Sequence, residues 1–297
     1  MKNVYLLTTF ILILSSIQCR KEHSSDKTSF EKKIINQEPE NNKISKPVIT
    51  YYLMALNSKS VSWLGSIISD DSMKVLLALN RVDKEYLLRL DTLVVPDTFV
   101  KDLKIYSPFP DSIHELSVIN KIIFFSNCIQ AFGAYQNGVL VRWGPVSMGK
   151  KTTPTPLGLF HTNWKSKQTI STINEDWIMK WYFNLDNFRG VSMHQYDLPG
   201  YPTSHACIRM LADDAYWLYN WAEEWILKND YQISAYGTPV IIFGAYPFSK
   251  RKPWKALAEN NKALFITDTS MFTEVRDFQP SILEQQMQRI SLTDSLK

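Results

Sequence analysis

The chain has 297 residues, 45% of them hydrophobic, enough to bury a sizeable core in one or two domains. Its net charge of +4 hints at an anionic partner, yet the ten Lys/Arg and ten Asp/Glu between His114 and Phe248 cancel. The excess therefore lies in the flanks, and the absence of a basic stripe excludes nucleic acid as a partner.

Lys2 followed by the apolar run Val4 to Leu14 reads as an export signal, too short to span a bilayer comfortably. The run ends in Leu14-Ser15-Ser16-Ile17-Gln18-Cys19 before Arg20, Lys21 and Glu22. This resembles a bacterial lipoprotein signal, in which Cys19 would be lipidated and become the first mature residue. Gln18 departs from the small residue usual at that point, and ordinary secretion is the alternative. Both readings place the working protein in the cell envelope or beyond, the first on the periplasmic face of a membrane. Residues 20–47 are polar, with Phe30 as their single aromatic, and are expected to form a disordered tether. A flexible coil of that length spans roughly 30 Å.

Outside the cytoplasm, free thiols tend to be oxidised. Of the 3 Cys, Cys128 and Cys207 remain after Cys19. Either they form one disulfide, or Cys207 stays free because its chemistry needs a thiolate.

Residues 48–112 are expected to form a small, mostly helical region. Val75, Leu76, Leu79, Val82 and Leu87 recur at helical spacing within Met73 to Leu90, and Asp91 to Pro96 reads as a short strand. The stretch LLALNRVDKEYLLRLDTLVVP is similar to the second half of a LysM peptidoglycan-binding module. No first half is recognisable, and a plain helical linker domain is the competing reading.

Residues 113–248 turn to strands. Lys121 to Phe125 and Ala131 to Tyr135 are β-prone, Asn137-Gly138 is a two-residue hairpin turn, and Val139, Val141 and Trp143 alternate along the return strand. Gly190 to His194 and Val240 to Phe243 read as further strands. One helix is expected from Asp213 to Lys228, capped by Asp213, with Ala215, Leu218, Ala222 and Trp225 as its apolar stripe. Residues 249–297 read as a polar tail with an amphipathic run near Ile282 to Ile290.

Four separated pieces carry chemistry: GPVSMGKKTTPTPLGLF (144–160), GVSMH (190–194), SHACIRM (204–210) and YGTPVII (236–242). In this order they resemble the catalytic domain of the L,D-transpeptidases, the YkuD family, over about Asn120 to Gly244. The resemblance implies a mainly β, sandwich- or barrel-like domain with a packed helix, preceded here by the small helical region. It places the nucleophile at Cys207 and the proton-transferring histidine at His194, with Ser204, His205 and Arg209 supporting the site. The residue types suit that chemistry, because a thiol near its reference pKa of about 8.5 needs a neighbouring imidazole to take its proton. Backbone N–H groups at Ala206 and Cys207 are the candidate oxyanion hole. Arg209 either holds a substrate carboxylate or braces the loop, and bracing is the role expected of it. His205, only two residues from the thiol, is the alternative base.

Two departures from the family pattern stand out. Ala206 replaces the usual Gly, and the nine residues between His194 and Ser204 are fewer than usual. The implied reaction is a cysteine-dependent acyl transfer on peptidoglycan stem peptides: Cys207 forms a thioester with the third residue of a tetrapeptide and passes it to an amine. The alternatives are a hydrolytic homologue (an L,D-carboxypeptidase or a cross-link-cleaving amidase) and an inactive peptidoglycan-binding protein. A zinc site of His194, His205 and Cys207 lacks metal-type spacing and a fourth ligand. Neither a metal nor any other cofactor is expected.

Overall fold

Four consecutive large apolar residues, Ile122 to Phe125, suit a strand only if both of its faces are covered. The computed structural model describes residues 47–67, 69–171 and 175–295, and in it both faces are covered. The expected export signal, the lipid site at Cys19 and nearly all of the tether lie outside the described residues.

The described chain enters as β1 (Tyr51–Ala55) and passes through α1 (Ser58–Ile67), α2 (Asp70–Asn80) and α3 (Lys84–Leu87). It returns as β2 (Thr92–Pro96), antiparallel to β1 with Tyr51 opposite Pro96. The expected strand at 91–96 is β2, whereas its partner β1 was not read from the sequence. The single helix expected from Met73 to Leu90 is instead broken at Arg81, whose backbone turns left-handed at φ 60. Side chains on either side of the break explain it. The Asn80 amide donates to the Leu76 and Val94 carbonyls (both 2.9 Å) and accepts from Val94 N, tying the end of α2 to β2. Asp83 caps α3 by accepting from Tyr86 N at 3.0 Å.

From residue 121 the chain forms β3 (Lys121–Ser126), β4 (Ala131–Gln136), β5 (Val139–Ser147), β6 (Gly158–His161), β7 (Lys165–Ile170), β8 (Ile178–Asp186), β9 (Val191–Gln195) and β10 (Ile208–Met210). Helix α4 (Ala212–Trp221), the small hairpin β11 (Ile226–Asn229) and β12 (Gln232–Ala235), and the closing strand β13 (Pro239–Phe243) follow. Nine strands make one curled sheet in the order β6-β13-β3-β4-β5-β10-β9-β8-β7. The turn between β4 and β5 is the expected Asn-Gly pair, with φ 48 at Asn137 and 75 at Gly138. Only glycine fits the second position, because a Cβ there would sit 2.5 Å from the Ile113 carbonyl oxygen.

Helix α4 is shorter than the stripe predicts. It ends at Trp221 rather than Lys228, because Glu223 leaves it to donate its N–H to Thr238 Oγ1 at 2.9 Å. Asp213 does not cap it, since Leu211 holds the cap position. Asp214 turns inward instead and pairs with Arg142 at 2.7 Å.

Alternation along the sheet divides two cores. Ile123, Phe125, Val240 and Ile242 face α4, while Ile122, Phe124, Ile241 and Phe243 face the N- and C-terminal segments. The C-terminal stretch is therefore not a tail. A 3-10 turn at Pro253–Ala258, α5 (Asp268–Val275) and α6 (Gln279–Ser295) contribute Trp254, Leu257, Met271, Val275 and Ile282 to that second core. These anchors are sparse among polar residues, which hid them in the composition. Residues 48–112, 113–248 and 249–295 thus share one core.

Arg81 joins all three. It is 1% exposed, its Nε donates to the Ile129 carbonyl at 2.9 Å, and Nη1 donates to the Ala78 carbonyl. Its guanidinium lies 5.7 Å from the Trp143 ring of β5 and 5.6 Å from the Trp254 ring of the C-terminal segment. Burial pulls its pKa down to about 9, so it stays charged at neutral pH. A desolvated cation–π contact is worth about 2 kcal/mol or more. Arg81→Ala should therefore cost about 3 kcal/mol or more, and Arg81→Lys, which lacks the planar fork, a large part of that. Urea unfolding reads both, and an unchanged midpoint in Arg81→Lys would show that the planar cation is not required.

Candidate active site

Strands β9 and β10 lie parallel and adjacent, with His194 opposite Arg209. Alternate residues of a strand share a face, so Ser192 and His194 on β9 stand beside Cys207 and Arg209 at the start of β10. All four line one open cleft of about 1000 Å³, as do Ser204 and His205. The structure thus brings together five of the six residues singled out around Cys207. The sixth, Ala206, contributes backbone.

Cys207 and Cys128 are both free thiols, which removes the disulfide alternative. Ser192 Oγ donates to the Cys207 sulfur at 3.1 Å, and the thiol donates to the Gly190 carbonyl at 3.3 Å. Burial pushes the Cys207 pKa up, against smaller opposing effects of the Ser192 hydroxyl and backbone N–H and of Arg209. The resting sulfur is a thiol rather than a thiolate.

His194 is buried, its ring stacked on Tyr182 at 6.2 Å and edge-on to Tyr196 at 6.0 Å. Its Nδ1 lies 3.0 Å from the Gln195 carbonyl oxygen. A carbonyl only accepts, so Nδ1 carries the proton and Nε2 keeps its lone pair. Burial pulls the His194 pKa down to about 4, with Arg209 adding to the effect. At neutral pH the ring is an uncharged base.

His205 is held differently. Its Nε2 lies 3.1 Å from Lys150 Nζ, and since an ammonium only donates, Nε2 must be the accepting nitrogen. The lone pair needed of a base is already engaged there. The Trp177 ring covers His205 at 5.3 Å.

The loop carrying the thiol is braced by the Gly-Lys and Thr-Pro turns of 149–155. Ser204 O accepts from Lys150 N at 3.0 Å and Thr153 Oγ1 at 3.1 Å. Ala206 O accepts from Thr155 Oγ1 at 2.9 Å, and Cys207 O accepts from Ser204 Oγ. Three carbonyls of the loop are thus engaged. Ala206 sits at φ 74, the left-handed conformation that lets consecutive N–H groups converge into an anion-binding concavity. The backbone here still requires what glycine gives, and alanine supplies it under strain.

Arg209 reaches the loop between His194 and Cys207 through Tyr196 and the nearby Asp197 carboxylate rather than through a close ion pair. Its guanidinium stacks on Tyr196 at 4.6 Å, and no ion pair holds it among the described residues. Ser192 was missed, although its position two residues before His194 on a strand was a signal that it shares the face. Thr153 and Thr155 lie in the 144–160 motif, whose sequence alone carries no sign of their hold on the thiol loop. Trp164 and Trp177 line the cleft, whereas Trp143 is core and Trp181 packs edge-on against Tyr216 and Tyr219.

Residues 125–242 match the family model of the L,D-transpeptidase catalytic domain, YkuD. That span runs from β3 into β13 and includes both His194 and Cys207. Among solved structures, an L,D-transpeptidase from Stackebrandtia nassauensis is similar at 20% identity, TM-score 0.35, over 43% of this chain and 57% of the other. One from Mycobacterium smegmatis matches at 21% identity, TM-score 0.34, over 42% and 59%. The catalytic domain of the E. faecium L,D-transpeptidase matches at 24% identity, TM-score 0.34, over 41% and 96%. The chain thus spans less than two thirds of the first two. No curated protein matches it.

The strain at Ala206 generates a prediction. Ala206→Gly should raise stability by about 0.5–1 kcal/mol in urea unfolding, despite the entropy glycine adds to the unfolded chain. A loss of stability would mean that the left-handed turn costs alanine nothing here.

Proposed function

We propose that this chain is a cell-envelope L,D-transpeptidase in which Cys207 is the nucleophile and His194 the proton carrier. The observation that carries the reading is a neutral thiol and a neutral, lone-pair-bearing imidazole on one face of adjacent parallel strands, inside one cleft. In acylation, His194 Nε2 takes the Cys207 proton as the sulfur attacks the carbonyl of the third residue of a tetrapeptide stem. The N–H groups at Ala206 and Cys207 receive the developing oxyanion, a role that the left-handed turn at Ala206 favours. As the tetrahedral intermediate collapses, the imidazolium returns the proton to the departing amine of the fourth residue, leaving a thioester. An amine acceptor then attacks, His194 takes its proton, and the sulfur leaves to be reprotonated as a new amide forms. Arg209, which lines the cleft and has no ion pair among the described residues, suits a carboxylate of the donor stem.

Ser192 has a place in this scheme as a positioning residue, its hydroxyl fixing the sulfur through the 3.1 Å bond. The Lys150 contact argues against His205 as the base. Trp177, Met179 and Tyr182 wall the cleft and shield the thioester from water. An envelope location follows from the substrate, and a lipid on Cys19, beyond the described residues, would tether the domain to a membrane.

Incubating the purified chain with tetrapeptide muropeptides and weighing the products tests the reading. Loss of the fourth residue with formation of 3-3 dimers supports it. Tripeptide alone at every amine concentration makes the chain a hydrolase, and unaltered muropeptides make it a binding protein. His194→Ala should slow acylation by about 10²–10⁴ while His205→Ala keeps most of it. The acylation rate should also hold level as pH falls from 8 to about 5, because His194 keeps its lone pair until pH nears about 4. An acid limb centred near 6.5 would point to a solvated histidine as the base instead.

A further inference from the structure

Beside the cleft runs a second groove, of about 780 Å³, that the chemistry above does not use. Its walls come from three places: α3 and the turn after it, the loop between His194 and Cys207, and the start of the C-terminal 3-10 turn. Arg89, Lys252 and Lys255 line it, with Asp91 as the one carboxylate among its lining residues. None of the three cations has an ion-pair partner among the described residues. Arg89 instead lies 4.6 Å over the Tyr86 ring, and Lys252 lies 5.6 Å over Tyr201 and 5.9 Å over Trp254. Lys252 is half-buried, and both burial and the neighbouring Lys255 lower its pKa. Asp91 opposes the fall in the Lys252 pKa but is outnumbered by Arg89, Lys252 and Lys255, so this concave surface carries a net positive charge suited to an anion.

The groove is coupled to the thiol. The Leu198 N–H donates to Asp83 Oδ2 at 2.8 Å, Asp83 N donates to the Leu198 carbonyl, and Ser147 Oγ donates to the Tyr201 carbonyl at 2.7 Å. These bonds pin the loop whose far end carries Cys207. Tyr86 is shared, since it underlies Arg89 in the groove and lies within electrostatic reach of Arg209 in the cleft. Four cations with no ion-pair partner among the described residues thus stand in the cleft (Arg209) and in the groove (Arg89, Lys252 and Lys255). All of these cations but Arg209 lie outside residues 125–242, while Pro199 and Tyr201 of the groove lie within them, so the groove sits where the flanking segments meet the matched domain.

We infer that this groove holds the carboxylates of the acceptor, a second stem peptide whose amine attacks the thioester. The inference rests on the transpeptidase reading and deepens it. Separate cations on two segments, Arg89 on one and Lys252 and Lys255 on the other, suit single carboxylates spaced along a peptide better than one compact dianion. Holding the acceptor there raises its effective concentration at the thioester, which is how an amine outcompetes water.

A tripeptide stem with a free side-chain amine is the suitable probe, because it lacks the fourth residue and cannot act as donor. The triple variant Arg89→Gln, Lys252→Gln, Lys255→Gln should raise the KM for this acceptor about tenfold. Its rate of thiol acylation by a carbapenem should stay unchanged. The same tripeptide with its carboxylates amidated should be as poor an acceptor for the unaltered protein, and should be indifferent to the variant. Lys252→Arg, which keeps the charge, should behave as the unaltered chain. A variant with unchanged acceptor KM overturns the inference. So does an equal fall in acylation, which would make the groove a support for the thiol loop, and so does competition by inorganic phosphate with no preference for the carboxylate peptide over its amide. Calorimetric titration of the tripeptide into Cys207→Ala protein, with and without the three substitutions, reads the groove without any transfer. Weaker binding to the substituted protein keeps the inference even if water proves to be the acceptor; equal binding sinks it even if transfer is observed.

Discussion

A single buried cation with no carboxylate partner holds the described chain together. Arg81 stands between two indole rings, one from the central sheet and one from the C-terminal segment, and its own backbone ends α2. An arginine suits this place because its planar, weakly hydrated guanidinium stacks on aromatic faces while its N–H groups serve carbonyls, here those of Ala78 and Ile129. The consequences reach the site. The break at Arg81 positions Asp83, whose carboxylate both caps α3 and receives the Leu198 N–H of the loop leading to Cys207. The flanking segments therefore help to set the position of a loop that the central domain alone would carry.

Within the cleft, the arrangement separates charge from reactivity. The sulfur and the imidazole are both neutral at rest, each driven there by burial, while the positive charge sits on Arg209 and Lys150 at the margins. A neutral pair avoids the desolvation cost of a buried thiolate–imidazolium pair until substrate arrives. The loop backbone completes the division of labour. Its carbonyls are bound to threonine and serine hydroxyls and to the Lys150 N–H, and Ala206 turns the backbone left-handed beside the thiol.

Much of this was legible in the sequence, for reasons that can be named. The β4–β5 hairpin announced itself through Asn137-Gly138, since few other pairs tolerate two left-handed residues in a row. Strands β3 and β13 were visible as apolar runs, and the ordered motifs located Cys207 and His194 in one cleft. What stayed hidden depends on partners distant in the chain. The break after Asn80 is set by β2 and by two tryptophans, at 143 and 254, which no local periodicity can report. The end of α4 at Trp221 is set by Thr238, and the C-terminal segment looked like a tail because its few apolar anchors are spread among polar residues. The partner of Arg209 stayed hidden for a related reason. Whether an arginine is paired depends on what surrounds it in space, and here the neighbour is the face of Tyr196.

The central claim is that the Cys207 sulfur captures the third-residue carbonyl of a stem peptide while His194 carries the proton. The most direct measurement is the intact mass of the protein after brief mixing with a tetrapeptide donor and no acceptor, followed by peptide mapping. The account predicts an adduct equal to the donor minus its fourth residue, attached at Cys207 and scarce in His194→Ala protein. An adduct at another residue, or full turnover of the donor by Cys207→Ala protein, would contradict it.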